Sequence, residues 1–333
     1  MPANNDKPVL LRTLGLPIVL APLAGGPSTP ELAAAVSGAG GLGFLAAGYL
    51  SAEALGERVL RTRALTDRPF GVNLFVPGPA AAPAVFADYV QGLEAEGLQV
   101  GAPAFDDDDW DAKLALLERD PVAVVSFTFG LPEPDVLDRV RASGAEAWVT
   151  VTSAEEARAA AVHADALVVQ GAEAGGHRGS WVDHEGLTPV SLHALLQLID
   201  VDVPLVASGG IATAAAVRAA LALGASAAQV GTAFLRAPEA GTSQAHRDAL
   251  ATDAPTGLTR AFSGRLARGI RNRFMDEHPE APLAYPEIHY ATAPVRAAAR
   301  KAGDADLINL WAGEAHALAE ALPAAEIVKR LSA

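Results

Sequence analysis

Eight short apolar runs recur along this chain, each six to eight residues long, with Ala-rich helical stretches between them. They are "PIVLAP" (17–22), "LGFLAA" (42–47), "FGVNLF" (70–75), "VAVVSF" (122–127), "AEAWVTV" (145–151), "ALVVQG" (166–171), "PLVASG" (204–209) and "AAQVGTAF" (227–234). Runs without polar alternation read as strands buried on both faces, which is the signature of a parallel sheet. Parallel neighbours need long crossovers, and stretches such as "TPELAAAVSGA", "SAEALGERVLRTRAL" and "TAAAVRAALALG" supply them as capped helices. Eight βα units predict an α/β fold, a closed (β/α)₈ barrel of the TIM type. An open doubly wound sheet is the alternative. The even run lengths, and the lack of G-x-G-x-x-G after the first run, favour closure.

The pattern changes after Leu235. Residues 240–303 carry polar stretches, prolines and helical pieces without strand alternation, and read as a small helical subdomain inserted after the eighth strand. Residues 1–239 and 304–333 would then form the barrel, with "LINLWAGEAHALAEALPAAEIVKRL" as a closing helix. "FDDDDWDAK" (105–113) reads as a solvated acidic helix start, not a metal site.

No cysteine occurs among the 333 residues, so disulfides, thiolate nucleophiles and cysteine-held metals are excluded. No His/Asp/Glu grouping has convincing metal spacing either. "LLRTLGLPIVLAPLAGG" is interrupted by Arg12, Pro17 and Pro22, and reads as a first strand rather than a signal peptide. No apolar run approaches the ~18 residues of a membrane span, and a cytoplasmic location is expected. The formal charge of −14 argues against nucleic acid as a partner. Arg260, Arg265, Arg268, Arg271 and Arg273 form a local exception. They read either as solvated partners of Asp276 and Glu277 or as a positive mouth for a small anion.

Function in a barrel collects at the C-terminal strand ends. Strand seven runs into "SGGIAT" (208–213) and strand eight into "QVGTAF" (229–234), glycine turns whose N–H groups suit a phosphate. "APLAGG" (21–26) offers small residues against which a flat ring could lie. Asn73 ends strand three with an amide suited to the edge of a flavin or purine. After strand six, "QGAEAGGHRG" (170–179) presents Gln170, Gly175, Gly176 and His177. A lone histidine is usually structural, but one on a glycine-rich loop at this face suits acid–base work. His163, His184, His193, His246, His278, His289 and His316 lack such a setting.

With those motifs in hand, "GVNLF", "GAEAGGHRG", "GGIAT", "QVGTAFL", "FSGRLARG", "AYPEIHYATAPVRAAA" and "NLWAGEA" resemble the nitronate monooxygenase family, formerly called 2-nitropropane dioxygenase, in its class I form. The likeness runs from "PIVLAPLAGG" to "LWAGEA". It implies FMN, lined by Ala21, Pro22 and Leu23, held by Asn73, Gln170 and Gly175, with Gly210, Gln229, Gly231 and Thr232 taking its chain and phosphate. It implies His177 as catalytic residue, with Thr128, Ser263 and Tyr285 facing substrate. Leu23 stands where many members carry methionine, and Thr128 where several carry histidine. The implied reaction is oxidative denitrification of alkyl nitronates, such as propionate 3-nitronate, by O₂ to a carbonyl compound and nitrite. It proceeds by one-electron transfer to the flavin, in a monomer or homodimer. The A-G-G-H stretch is shared with NAD(P)H-dependent FMN reductases of quinones or enoyl thioesters, which stay open as an alternative. So does a non-enzymatic flavin- or phosphate-binding barrel in which His177 is structural.

Overall fold

The computed structural model describes residues 10–333. Its strands are β1 (Ile18–Leu20), β2 (Gly43–Ala46), β3 (Phe70–Phe75), β4 (Val124–Thr128), β5 (Glu146–Val151), β6 (Ala166–Gln170), β7 (Gly176–His177), β8 (Leu205–Ser208), β9 (Ala227–Val230), β10 (Thr256–Thr259) and β11 (Ala267–Ile270). Every one of the eight apolar runs contains a strand, and all eight pair in parallel in the order β1-β9-β8-β6-β5-β4-β3-β2. A bridge between Val19 and Leu42 closes the ring: Leu42 N–H donates to Ile18 O at 2.9 Å and Leu20 N–H to Leu42 O at 2.8 Å. The fold is a (β/α)₈ barrel. β1 is shorter than its run because Pro17 and Pro22, which lack N–H donors, bracket it.

Helix starts follow the capping residues. Thr29, Ser51, Ser153, Ser191 and Thr213 each accept a first-turn N–H through the side-chain oxygen. Leu11, Val19, Phe44, Val124, Trp148, Val168 and Val206 fill the barrel interior, with the Phe44 and Trp148 rings 5.9 Å apart. A larger apolar layer lies between strands and helices. Each fully buried aliphatic or aromatic side chain there contributes roughly 1.5–3 kcal/mol.

Gly43 marks the tightest helix–strand approach. A Cβ there would sit 2.0 Å from the Ala33 carbonyl oxygen, and its N–H already donates to Ser37 Oγ at 2.9 Å. Overpacking at such a point costs about 3 kcal/mol. Gly43→Ala is therefore expected to move the urea midpoint down sharply, and an unchanged midpoint would contradict this packing.

The segment after β9 differs in part from its sequence reading. Helices Gln244–Ala249, Arg273–Glu277 and Glu287–Ala302 are present, but so are β10 and β11, which form an antiparallel three-stranded sheet with β7. "TGLT" and "ARGI" lack apolar alternation; they pair with each other, and "ARGI" also pairs with β7 some ninety residues upstream, a partner that no local window contains. The closing segment is α-helical only over Ala324–Leu331, preceded by a 3-10 turn at His316–Leu318, because Gly313 and Pro323 interrupt the rest.

The acidic run is more than a solvated helix start. Asp108 Oδ1 accepts from Tyr49 N–H at 2.7 Å, Asp109 Oδ2 accepts from Ala52 N–H at 2.9 Å, and Asp108 pairs with the fully buried Lys113 at 2.8 Å. These contacts fix the loop that carries Tyr49.

Candidate active site

A cavity of about 260 Å³ lies over the C-terminal strand ends. Register explains its polar floor: Asn73 pairs with Ser126, Gln170 with Ser208, and Ser208 with Gln229, so these side chains reach one level of the barrel. Of the residues singled out in the sequence, Ala21, Pro22, Leu23, Asn73, Thr128, Gln170, Gly175, His177, Gly210, Gln229, Gly231, Thr232 and Ser263 all line this one cavity. Tyr285 is not in its wall; its hydroxyl donates to Tyr49 Oη at 3.1 Å, with its ring 5.6 Å from that of His177.

The individual contacts refine those roles. Asn73 Nδ2 donates to Ser126 Oγ and Thr128 Oγ1, both at 3.0 Å, which leaves Oδ1 as an acceptor toward the cavity. Gln170 holds the loop: Nε2 donates to the His177 carbonyl at 3.1 Å and Oε1 accepts from Gly179 N–H at 2.8 Å. Thr128 also meets Thr150 Oγ1 at 3.2 Å, so it orients Asn73 as well as facing the cavity.

At β8, Gly209 and Gly210 have φ of 118° and 68°, which side chains rarely adopt. Their N–H groups, and that of Gly231, find no acceptor among the described residues. A Cβ on Gly231 would stand 3.2 Å from both Ala21 and Leu23, so glycine keeps the floor open. Gln229 is buried, and its amide has no partner among the described residues. Unsatisfied donors at two neighbouring strand ends, with an acceptor and amides across the floor, suit a phosphate joined to a flat, polar-edged ring such as FMN.

His177 sits on β7, paired with Ala267 of β11, so its backbone is fixed. Nε2 lies 2.8 Å from Ser263 Oγ, and the Ser263 hydroxyl reaches the Arg265 carbonyl at 3.3 Å. With that hydroxyl donating to Arg265, Oγ accepts from Nε2–H and Nδ1 is left as the basic nitrogen. Phe129, Tyr285 and Trp311 surround the imidazole with centroids 5.5–5.9 Å away. Enclosure away from water, then the charges of Arg265 and Arg296, push its pKa down to about 3. His177 is neutral at working pH.

Sequence reasoning missed part of the wall. His246 and His289, set aside for lack of context, both line the cavity, as do Tyr49, Phe75, Phe129, Arg296, Arg300 and Trp311. Burial first, with a smaller opposing hydrogen bond to Trp311, lowers His246 to about 4. His289 stacks on Tyr49 at 3.9 Å, and burial pushes its pKa well down. The arginines singled out for a mouth do other work. Arg271 and Arg273 pair with Asp276 and Glu277, as the solvated reading expected. Arg260 pairs with Asp183 at 2.7 Å and Arg268 with Glu314 at 3.0 Å. Arg265 is buried, donating to the Arg178 and Ser180 carbonyls with its guanidinium 4.1 Å above the Phe129 ring. No residue of this cluster lines the cavity. The helix Glu287–Ala302 supplies its cations instead, a fact that only the tertiary packing reveals.

No helix among the described residues is long and apolar enough to cross a membrane, and none of them group as a metal site. Fold and site together describe a barrel oxidoreductase. The chain belongs to the nitronate monooxygenase family, whose sequence profile matches residues 8–333. It is 42% identical to nitronate monooxygenase from Pseudomonas aeruginosa, with 96% of this chain and 97% of that one covered. It is 41% identical to nitronate monooxygenase from Paraburkholderia phytofirmans, covering 99% and 96%. Among solved structures, nitroalkane oxidase from Streptomyces ansochromogenes superposes with TM-score 0.95 at 48% identity, covering 97% and 96%. FabK from Thermotoga maritima superposes with TM-score 0.75 at 26% identity, covering 97% and 93%.

Proposed function

We propose that this chain binds FMN and catalyses the oxidative denitrification of alkyl nitronates, propionate 3-nitronate among them, with O₂ to a carbonyl compound and nitrite. The observation that carries this reading is an imidazole held by Ser263 in a cavity that no aspartate or glutamate among the described residues lines, beside a phosphate-type glycine cradle. When bound, the flavin would supply the electron acceptor that the protein's side chains lack. Gly209, Gly210, Gly231 and Thr232 would take its phosphate, and Asn73 and Gln229 its ring edge, with Ala21, Pro22 and Leu23 below.

The chain's own residues bind, orient and handle the proton. A wall with Arg296, Arg300 and neutral histidines, and no acid among the described residues, favours an anionic substrate inside a protein of charge −14. Phe75, Phe129 and Trp311 keep bulk water from the reacting carbon. His177 Nδ1 receives the α-proton when the substrate arrives as a neutral nitroalkane, and hydrogen-bonds the nitronate otherwise. The basicity of His177 is low in the free enzyme and rises as negative charge develops next to it, so nitronates are the faster substrates. Residues 240–303 form the cover over residues 1–239 and 304–333, and the protein works in the cytoplasm as a monomer or homodimer, free of nucleic acid and membrane.

An anaerobic mixing experiment tests this reading. Propionate 3-nitronate or an alkyl nitronate is expected to reduce the protein-bound flavin, while NADH leaves it oxidised; nitrite appears once air is admitted. Rapid bleaching by NADH with no response to nitronates would overturn the proposal in favour of an NAD(P)H-dependent reductase of quinones or enoyl thioesters, the reading that the likeness to FabK keeps in view.

A further inference from the structure

Arg296 is almost wholly buried, 5% exposed, yet no carboxylate pairs with it among the described residues. Its Nε donates to Thr292 Oγ1 at 3.2 Å, and Nη2 donates to the His289 carbonyl at 2.6 Å and meets His289 Nδ1 at 3.3 Å. Nη1 has no acceptor among the described residues, and the side chain lines the cavity. Buried charges without partners are rare because each carries a large desolvation penalty. His289, Arg296 and Arg300 fall at positions 289, 296 and 300 of one helix, spaced so that one face carries all three along the cavity wall. Arg296 is near enough to His177 for its charge to lower that imidazole's pKa, and Arg300, further along, donates to Asn309 Oδ1 at 2.7 Å.

We propose that Arg296 is a specificity residue: its free Nη1 edge takes a second anionic group on the substrate, a carboxylate two or three bonds from the carbon that faces His177. The inference rests on the nitronate reading above and adds to it a site for the distal group. A planar guanidinium already fixed on two sides is preorganised to grip a carboxylate oxygen. The same edge opens on the cavity and has no partner among the described residues, so a bound carboxylate also offsets the charge of this largely buried side chain. His289, neutral and stacked on Tyr49, adds no competing charge.

Two measurements on the FMN-loaded protein test it, with Arg296→Met and Arg296→Lys. The first is the ratio of kcat/KM for propionate 3-nitronate over the nitronate of 1-nitrobutane, an uncharged-tail analogue of similar length. A hydrogen-bonded pair to a charged group corresponds to about a thirtyfold preference, so the ratio is expected to fall about thirtyfold in Arg296→Met and to recover partly in Arg296→Lys. Equal losses on both substrates would overturn the proposal, placing Arg296 against the nitro group or the flavin. An unchanged ratio would overturn it too. The second is calorimetric binding of succinate, an unreactive dianion of the same length, against butyrate. Wild type is expected to prefer succinate and Arg296→Met to lose that preference; no preference in wild type would overturn the proposal. Because this readout needs no turnover, it stands even if the nitronate reading fails.

Discussion

His177→Asn is expected to lower kcat/KM for neutral nitroalkanes by ~10²–10⁴-fold, the usual contribution of a positioned proton acceptor. Asparagine occupies similar space and retains an amide that can meet Ser263, so the barrel and the flavin cradle stay intact. It has no basic nitrogen. Nitronates arrive already deprotonated and need only a hydrogen bond from position 177, so their kcat/KM is expected to fall about tenfold or less. The split between the two substrate forms is the diagnostic. Stopped-flow reduction of the flavin by nitroethane and by ethyl nitronate, side by side, measures it. Equal losses on both would remove the proton-acceptor role and leave His177 as a binding group. The wild-type kcat/KM with nitronates, which reports the free enzyme, is also expected to show no inflection from His177 between pH 5 and 8, because its pKa is pushed down to about 3 in the free protein.

Acid lability is the second large effect. His177 and His246 have folded pKa values lowered to about 3 and about 4, from an ordinary value of 6.5. The unfolded chain therefore binds protons at these sites between pH 6.5 and the folded values, where the native protein does not. Stability rises with pH wherever the unfolded state binds more protons, so it must fall as the solution is acidified below pH 6.5. Each such group costs about 1.4 kcal/mol per pH unit in that window. Two of them lose about 3–4 kcal/mol between pH 6.5 and 5, a large share of the usual 5–15 kcal/mol. His289, whose pKa is also driven down by burial, steepens the loss. Urea midpoints between pH 8 and 5 are expected to drop steeply below 6.5, with a shallower slope in His177→Asn. A flat profile over this range would contradict neutral burial of these imidazoles.

The barrel was legible because each of its strands is locally encoded: "VAVVSF" or "ALVVQ" can form little else, and Thr29, Ser51 and Ser153 announce the helices that follow. The cradle was legible for a related reason. Barrel topology places every strand end on one face, so reading Asn73, Gln170, Gly210 and Gln229 as strand-end residues already brought them together. What escaped lies beyond any local window. β10 and β11 pair with each other, and β11 also with β7 some ninety residues upstream. His289 and Arg296 reach the cavity because the helix Glu287–Ala302 folds back over the barrel, and nothing in "IHYATAPVRAAARK" distinguishes an inward arginine from an outward one. The five clustered arginines misled for the same reason: chain proximity suggested a shared duty, while folding distributed them to Asp183, Glu314, Asp276, Glu277 and the Phe129 ring.

The imidazole of residue 177 is a rung between two stretches of chain, not a passenger on a loose connector. Ala267 across the ladder and Ser263 beside it set where that ring sits, so its placement is inherited from sequence far downstream. Length changes between 256 and 270 would be felt at the reacting carbon before they were felt in thermal stability, and a redesign that retuned substrate choice by grafting another cover would have to carry both edges of this small ribbon together.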